Sequence, residues 1–148
     1  KHHKHPVVIP KKSWEHEDLV LPHLAEYEIT HIVLAGFLLL IPHYLIDQFP
    51  NRVVNIHPAL LPKYGGKGMY GHHVHEAVKA AGEKYSGITI HRVDEEYDSG
   101  DILFQKKVEL DDADSAQEIA AKVLKVEHHY YAQVIERWVL GQSSEDLV

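Results

Sequence analysis

Asn55-Ile56-His57-Pro58-Ala59-Leu60-Leu61-Pro62-Lys63-Tyr64-Gly65-Gly66 is the stretch that decides how this chain folds. Just before it, Val53 and Val54 are β-branched and predict the end of a buried strand, while Pro58 and Pro62 can continue neither a sheet nor a regular helix. The chain therefore leaves the strand at about His57. Asn55 and His57 fall at the strand's carboxyl end, where an open α/β sheet presents polar groups to a ligand on a rigid support. A plainer reading stays open on the same residues: an ordinary proline-containing loop, with Asn55 capping a turn and His57 satisfied by a backbone carbonyl.

Upstream, Ile32-Val33-Leu34-Ala35-Gly36 is apolar on both faces, as a central parallel strand covered by helices must be. Phe37-Leu38-Leu39-Leu40-Ile41-Pro42 follows once Gly36 has ended that strand, so it lines something rather than crossing the sheet, with core packing as the plain alternative. A short helix over Pro42 to Phe49 leads into the strand Arg52 to Asn55. Val7-Val8-Ile9, closed by Pro10, is a further strand candidate. An acidic first turn and an approximate apolar stripe predict a helix from about Trp14 to Glu28, kinked or divided by Pro22.

Downstream, Gly65, Gly66, Gly68 and Gly71 mark a loop that turns tightly or moves, and a helix is predicted from about His72 to Ala81. Gly87 to Val93 alternates like a strand with one wetter face, and Ile102 to Gln105 with Val108 reads as its neighbour. Between them, Asp94 to Asp101 is an acidic loop made tight by Gly100; most such loops are simply solvated. Asp114 or Ser115 caps a last helix, Ala116 to about Val139. With no internal repeat and no linker, residues 1–148 read as one domain.

A formal net charge of -7 argues against a nucleic acid as partner, since that affinity comes from clustered Lys and Arg. The absence of Cys excludes disulfides, thiolate metal sites and a cysteine nucleophile, and makes the cytoplasm the default location. No apolar run has the length of a membrane span. The 14 histidines include the groups His2, His3 and His5, then His72, His73 and His75, then His128 and His129. Neighbouring histidines on a helix or strand point apart, so solvated side chains and no metal are expected. The chain opens on Lys1-His2-His3-Lys4-His5 without Met, and is expected to lack its beginning.

Asn, His and Asp together suit acyl transfer between nitrogens. An amide N–H stabilises an oxyanion, an imidazole relays a proton, and a carboxylate holds the imidazole's tautomer and charge. Asn55 and His57, two apart on an extended segment, face the same side. Spacing alone does not choose the carboxylate among Asp94, Asp98 and Asp101.

Asn55 to Tyr64, followed by Gly87-Ile88-Thr89-Ile90-His91 and Tyr97-Asp98-Ser99-Gly100, resembles the folate-dependent formyltransferases, most closely the branch that acts on phosphoribosylglycinamide in purine synthesis. The resemblance covers nearly the whole chain in order, including Leu34-Ala35-Gly36-Phe37 and Val126-Glu127-His128. It implies a Rossmann-like α/β fold, an open, mostly parallel sheet flanked by helices. The family's N-terminal strands and phosphate-holding loop are absent from this sequence, so residues 1–148 correspond to about the C-terminal two-thirds of the domain. It implies Asn55, His57 and Asp98 as the catalytic trio. The implied formyl donor is 10-formyltetrahydrofolate, held by Phe37, Leu38, Leu39, Leu40 and Ile41 and by the loop containing Asp94, Glu95 and Tyr97. Glu127 and Pro58 are implied at the acceptor substrate, and His73 resembles a supporting histidine near the catalytic aspartate. No metal is implied.

Leu39 stands where many relatives carry Arg, and the Gly65 to Gly71 loop is longer than in many. The expected partners are small-molecule substrates, with no nucleic acid and no membrane, and either a second copy or a separate N-terminal segment against the edge left bare at Ile32-Val33-Leu34. The rival readings are a formyltetrahydrofolate deformylase, with water as acceptor, a methionyl-tRNA formyltransferase, which the acidic charge disfavours, and a non-catalytic binding or assembly remnant.

Overall fold

The computed structural model describes residues 6–94 and 98–147. Its elements follow in the order α1 (Glu17–Glu26), β1 (Ile32–Leu34), α2 (His43–Gln48), β2 (Val53–His57), α3 (His72–Ala80), β3 (Tyr85–Arg92), β4 (Ile102–Glu109) and α4 (Ala116–Val139). The four strands form one sheet in sequence order, β1-β2-β3-β4. β1 runs parallel to β2, while β2/β3 and β3/β4 are antiparallel, so the sheet is mixed and only its β1/β2 pair is parallel. The antiparallel β3/β4 pair follows from the short tight connection between them, since a parallel crossover would need a dozen or more residues.

Strand alternation sorts the sheet's two faces. Ile56, Ile88, Ile90 and Phe104 pack with Val78 of α3 and with Ile119, Val123 and Val134 of α4 in one apolar core. Val53 points the other way, into a second core with Val20 of α1, Leu45 and Phe49 of α2, and Ile41. Asn55 and His57 share the side of Val53. The pairing sets Asn55 opposite His91, His57 opposite Thr89, and Thr89 opposite Gln105. A polar stripe therefore crosses three strands on one face, backed by the apolar core on the other. The expectation that β3 has a wetter face is corrected: residues 86–91 are all buried.

Two further expectations change. Val7 to Ile9 forms no strand; Val8 is 89% exposed, and Pro6 and Pro10 on either side lack the N–H groups a ladder needs. The first helix is shorter, Glu17 to Glu26, entered through a 3-10 turn at Lys11–Ser13, and it runs through Pro22 undivided. Among the described residues β1 pairs with β2 alone and so is an edge of the sheet, with Val33 41% exposed.

Ser115 is the cap of α4. Its side chain accepts from the Glu118 N–H, and Glu118 returns a bond to the Ser115 N–H at 2.8 Å, a capping box. Ser115→Ala should lower unfolding stability by about 1 kcal/mol. A urea melt checks this, and a midpoint equal to the parent's would mean that α4 is held by packing alone.

Candidate active site

The loop after β2 is tied down onto the polar stripe. The Leu61 N–H donates to Thr89 Oγ1 at 3.0 Å, the Thr89 hydroxyl donates to the Ala59 carbonyl at 2.7 Å, and Gln105 Nε2 donates to the Leu61 carbonyl at 2.9 Å. Its far end is braced where Lys63 and the Tyr64 hydroxyl both donate to Glu83, at 2.8 and 2.9 Å. Thr89 and Gln105 were not singled out in the sequence. The signal was there in Thr89, a polar residue between two isoleucines.

This anchoring fixes His57. Its Nε2 lies 2.7 Å from the Tyr64 carbonyl and its Nδ1 3.5 Å from Asp98 Oδ2. The backbone-carbonyl partner foreseen in the plainer reading exists, and the carboxylate stands on the opposite ring nitrogen. Asp98 Oδ1 is 3.4 Å from His91 Nε2, Asp98 Oδ2 accepts from the Gly66 N–H at 2.9 Å, and Asn55 Nδ2 is 3.5 Å from His91 Nε2. Asn55, His57 and Asp98 are thus brought together, and of the three candidate aspartates it is Asp98 that reaches the histidine. His91 is the member of the group that the sequence reading did not assign.

Glycine is required where the two loops meet. A Cβ on Gly65 would lie 2.5 Å from Leu61 Cδ2 and 3.3 Å from Asp98 Cβ, and one on Gly100 would lie 2.0 Å from the Arg92 carbonyl. Asp98 itself has φ 56, the left-handed region that Asp tolerates better than most residues.

The group opens into a cavity of about 530 Å³. Phe37, Leu38, Leu39, Leu40 and Ile41 all line it, as do Pro58, Asp94 and Glu127, while Gly66 to Gly71 with Met69 and Tyr70 supply another part of the wall. Glu95 and Tyr97 lie outside the described residues, as do His2, His3 and His5. His73 is a correction. It is exposed on α3, its Nδ1 3.6 Å from Glu76 and its ring against those of His72 and Tyr70, and it does not reach Asp98. Residues two apart on a helix differ by about 200° in direction, and it is His75, not His73, that turns inward. The place expected for His73 beside the aspartate belongs to His91. His72, His73 and Glu76 do bring three ligand-type atoms within 4.8 Å of one another on the exposed face of α3.

Burial sets the electrostatics. It pushes the His57 imidazole below its ordinary value against the opposing pull of Asp98, and does the same to His75 with help from His57. Burial alone would raise the Asp98 carboxyl, but the His91 contact, the His57 charge and the Gly66 amide outweigh it and hold the group below the ordinary carboxylate range. Glu127 is raised by burial, and Tyr131 beside it is raised by burial and by the Glu127 charge. The Tyr131 hydroxyl donates to the Leu34 carbonyl, tying α4 to β1 under the cavity.

These shifts have a consequence for stability. Just below the ordinary imidazole value of 6.5, the unfolded chain binds protons at positions 57 and 75 that the folded chain refuses. Their contribution is therefore intact above that value and is lost as the pH falls through it. Between about pH 7.5 and pH 5.5, a His75→Leu protein should lose less stability than the parent in urea melts, and equal losses would count against buried neutral His75.

The formyl transferase family model matches residues 3–135 of the chain. Over 134 residues the chain is 47% identical to a chloroplastic phosphoribosylglycinamide formyltransferase of Arabidopsis thaliana, covering 87% of this chain and 46% of that one. It is 37% identical over 130 residues to the phosphoribosylglycinamide formyltransferase of Bacillus subtilis, covering 85% and 64%. The crystal structure of phosphoribosylglycinamide formyltransferase from Brucella melitensis superposes with a TM-score of 0.74 at 37% identity, covering 88% of this chain and 64% of that one. The chain thus spans about half the length of the plant relative and less than two thirds of the bacterial ones. With its α/β architecture and the match running through β2, the Asp98 loop and most of α4, the chain belongs to the formyl transferase family.

Proposed function

We propose that this chain is a catalytic domain that transfers the formyl group of 10-formyltetrahydrofolate to the amine of phosphoribosylglycinamide in purine synthesis. The observation that carries the reading is the convergence of Asn55, His57 and Asp98 at the floor of a cavity walled by Phe37 to Ile41. A cavity of about 530 Å³ is of the size that takes a ring-bearing small molecule, and apolar walls with a few convergent polar groups suit the flat pterin of the donor.

The amine attacks the formyl carbon, and the oxygen of the resulting tetrahedral adduct becomes an oxyanion. The Asn55 amide N–H groups stabilise that charge, His57 exchanges a proton with the reacting nitrogens, and ionised Asp98 holds the imidazole in place. Glu127, also in the cavity lining, offers a carboxylate to the hydroxyls of the acceptor's ribose, with Pro58 beside the acceptor. Asp94, in the cavity lining, is assigned to the donor. Relatives named chloroplastic and a chain without Cys agree with a reducing compartment, the cytoplasm or its plastid equivalent.

Asn55→Ala should lower formyl transfer by roughly 10²–10³-fold, the cost of one oxyanion donor, with donor binding little changed. His57→Ala should be at least as damaging; parent-level turnover in that variant would remove the catalytic assignment. Release of formate without any acceptor amine, at the rate of the full reaction, would point instead to the deformylase reading. Leu40→Asp should weaken binding of a folate analogue strongly, because an unpaired carboxylate would be desolvated against an apolar wall. An unaltered affinity in calorimetry would put the donor elsewhere.

A further inference from the structure

Two backbone carbonyls fix the tautomers of the histidines on either side of Asp98. A carbonyl oxygen only accepts, so His57 Nε2, 2.7 Å from the Tyr64 carbonyl, and His91 Nδ1, 2.8 Å from the Arg92 carbonyl, are both N–H donors. The nitrogens that Asp98 meets are the other two: His57 Nδ1 at 3.5 Å from Oδ2, and His91 Nε2 at 3.4 Å from Oδ1. Were both rings neutral, each would turn a lone pair toward an ionised carboxylate. Acceptor would face acceptor at both oxygens, with the Gly66 N–H as the one donor named above. In a site where both imidazoles are at least 97% buried, such a mismatch is costly. One more proton relieves it at one of the two oxygens, and a single imidazolium beside Asp98 leaves the group neutral overall.

His91 Nε2 has a second neighbour, the Asn55 amide nitrogen at 3.5 Å. It cannot serve both. A bond from the amide N–H needs a lone pair on Nε2, while a bond to Asp98 needs a hydrogen there. We propose that His91 shares with His57 the one proton that Asp98 requires, and that the proton's place selects the partner of His91 Nε2: Asp98 when it is on His91, the Asn55 amide when it is on His57. Each exchange breaks one ring N–H bond and forms another while Asp98 stays ionised, so proton count and charge are conserved.

His91 is then a positioning residue that acts through Asn55 and His57, and its importance for catalysis rests on the proposed reading of those two. With the proton on His91, the Asn55 amide is free to turn its NH2 group to the cavity. Charging His57 frees the Nε2 lone pair to capture that amide. The groups facing this pair are Asp98 and Asp94 from the β3–β4 loop, His75 from α3 and Glu127 from α4, while the Arg92 guanidinium is 3.4 Å from Asp101.

Nitrogen-15 spectra of the imidazole rings in the unliganded chain test this directly. The expected result is that His57 Nε2 and His91 Nδ1 stay protonated while His57 Nδ1 and His91 Nε2 titrate as a coupled pair; a bare His91 Nδ1, or two independent titrations, would overturn the proposal. His91→Asn keeps a donor near the Nδ1 position and deletes Nε2. In it the His57 midpoint should rise, the Asn55 side-chain resonances should move, and kcat should fall by roughly tenfold with the acid limb of its pH profile displaced and the KM for the donor little changed. His91→Gln, which restores an amide near Nε2, should recover part of kcat without the coupled titration. A His57 midpoint unchanged in both variants would refute the sharing, and should His91→Asn not fold, the parent spectra decide. Coupled titration in a protein that transfers no formyl group would sink the assigned reaction and leave the proton sharing standing.

Discussion

The pairing of β2 with β3 is the constraint on which the rest depends. Its register sets Asn55 against His91 and His57 against Thr89 on one face, and Ile56 against Ile90 on the other. Because side chains alternate with a period of two, a slip of one residue would send the histidines into the apolar core against α3 and α4 and the isoleucines beneath the polar loop that follows β2. The register that is good for burial is therefore the register that builds the site, and the core formed by Ile56, Ile88, Ile90 and Phe104 protects both at once.

A polar stripe on a buried face has to be satisfied, and the chain does this with its own backbone. Thr89 and Gln105 take the carbonyls of Ala59 and Leu61 and the Leu61 N–H, while His57 takes the Tyr64 carbonyl. Each bond contributes about 1 kcal/mol net, yet leaving any one group unpaired in this setting costs more than that. The loop after β2 is thus rigid for a physical reason, and its rigidity passes to the imidazole it holds.

How much of this was legible follows from which signals are local. The break after His57 was written in Pro58 and Pro62, α4 in its cap and apolar stripe, and the facing of Asn55 and His57 in the strand period. Residues 7–9 misled because β-branched residues propose a strand only where a neighbour exists to pair with. The antiparallel course of β3 and β4 depended on a turn that Gly100 makes possible, a fact about chain closure rather than propensity. His73 was misassigned because two positions on a helix differ by direction, and direction comes from the packing of Val74 and Val78, which turns His75 inward. His91 went unassigned for the opposite reason: its meaning lies across the sheet, in Asp98 and Asn55, and no window of sequence contains all three.

Asp98 shows how the group is assembled from parts that are separately permissive. Its residue sits at φ 56, a conformation that costs an L-residue about 1 kcal/mol, and it is held there from both sides. The Gly66 N–H grips Oδ2, Gly65 leaves room for Leu61 and for the close approach of the Asp98 turn, and Gly100 lets the turn close on the Arg92 carbonyl. The strands alone would bring Asn55, His57 and His91 together without a charge to organise them. It is the meeting of the Gly65–Gly66 loop with the Asp98 turn that supplies the carboxylate, so the charge that organises the site arrives only as these loops close on one another.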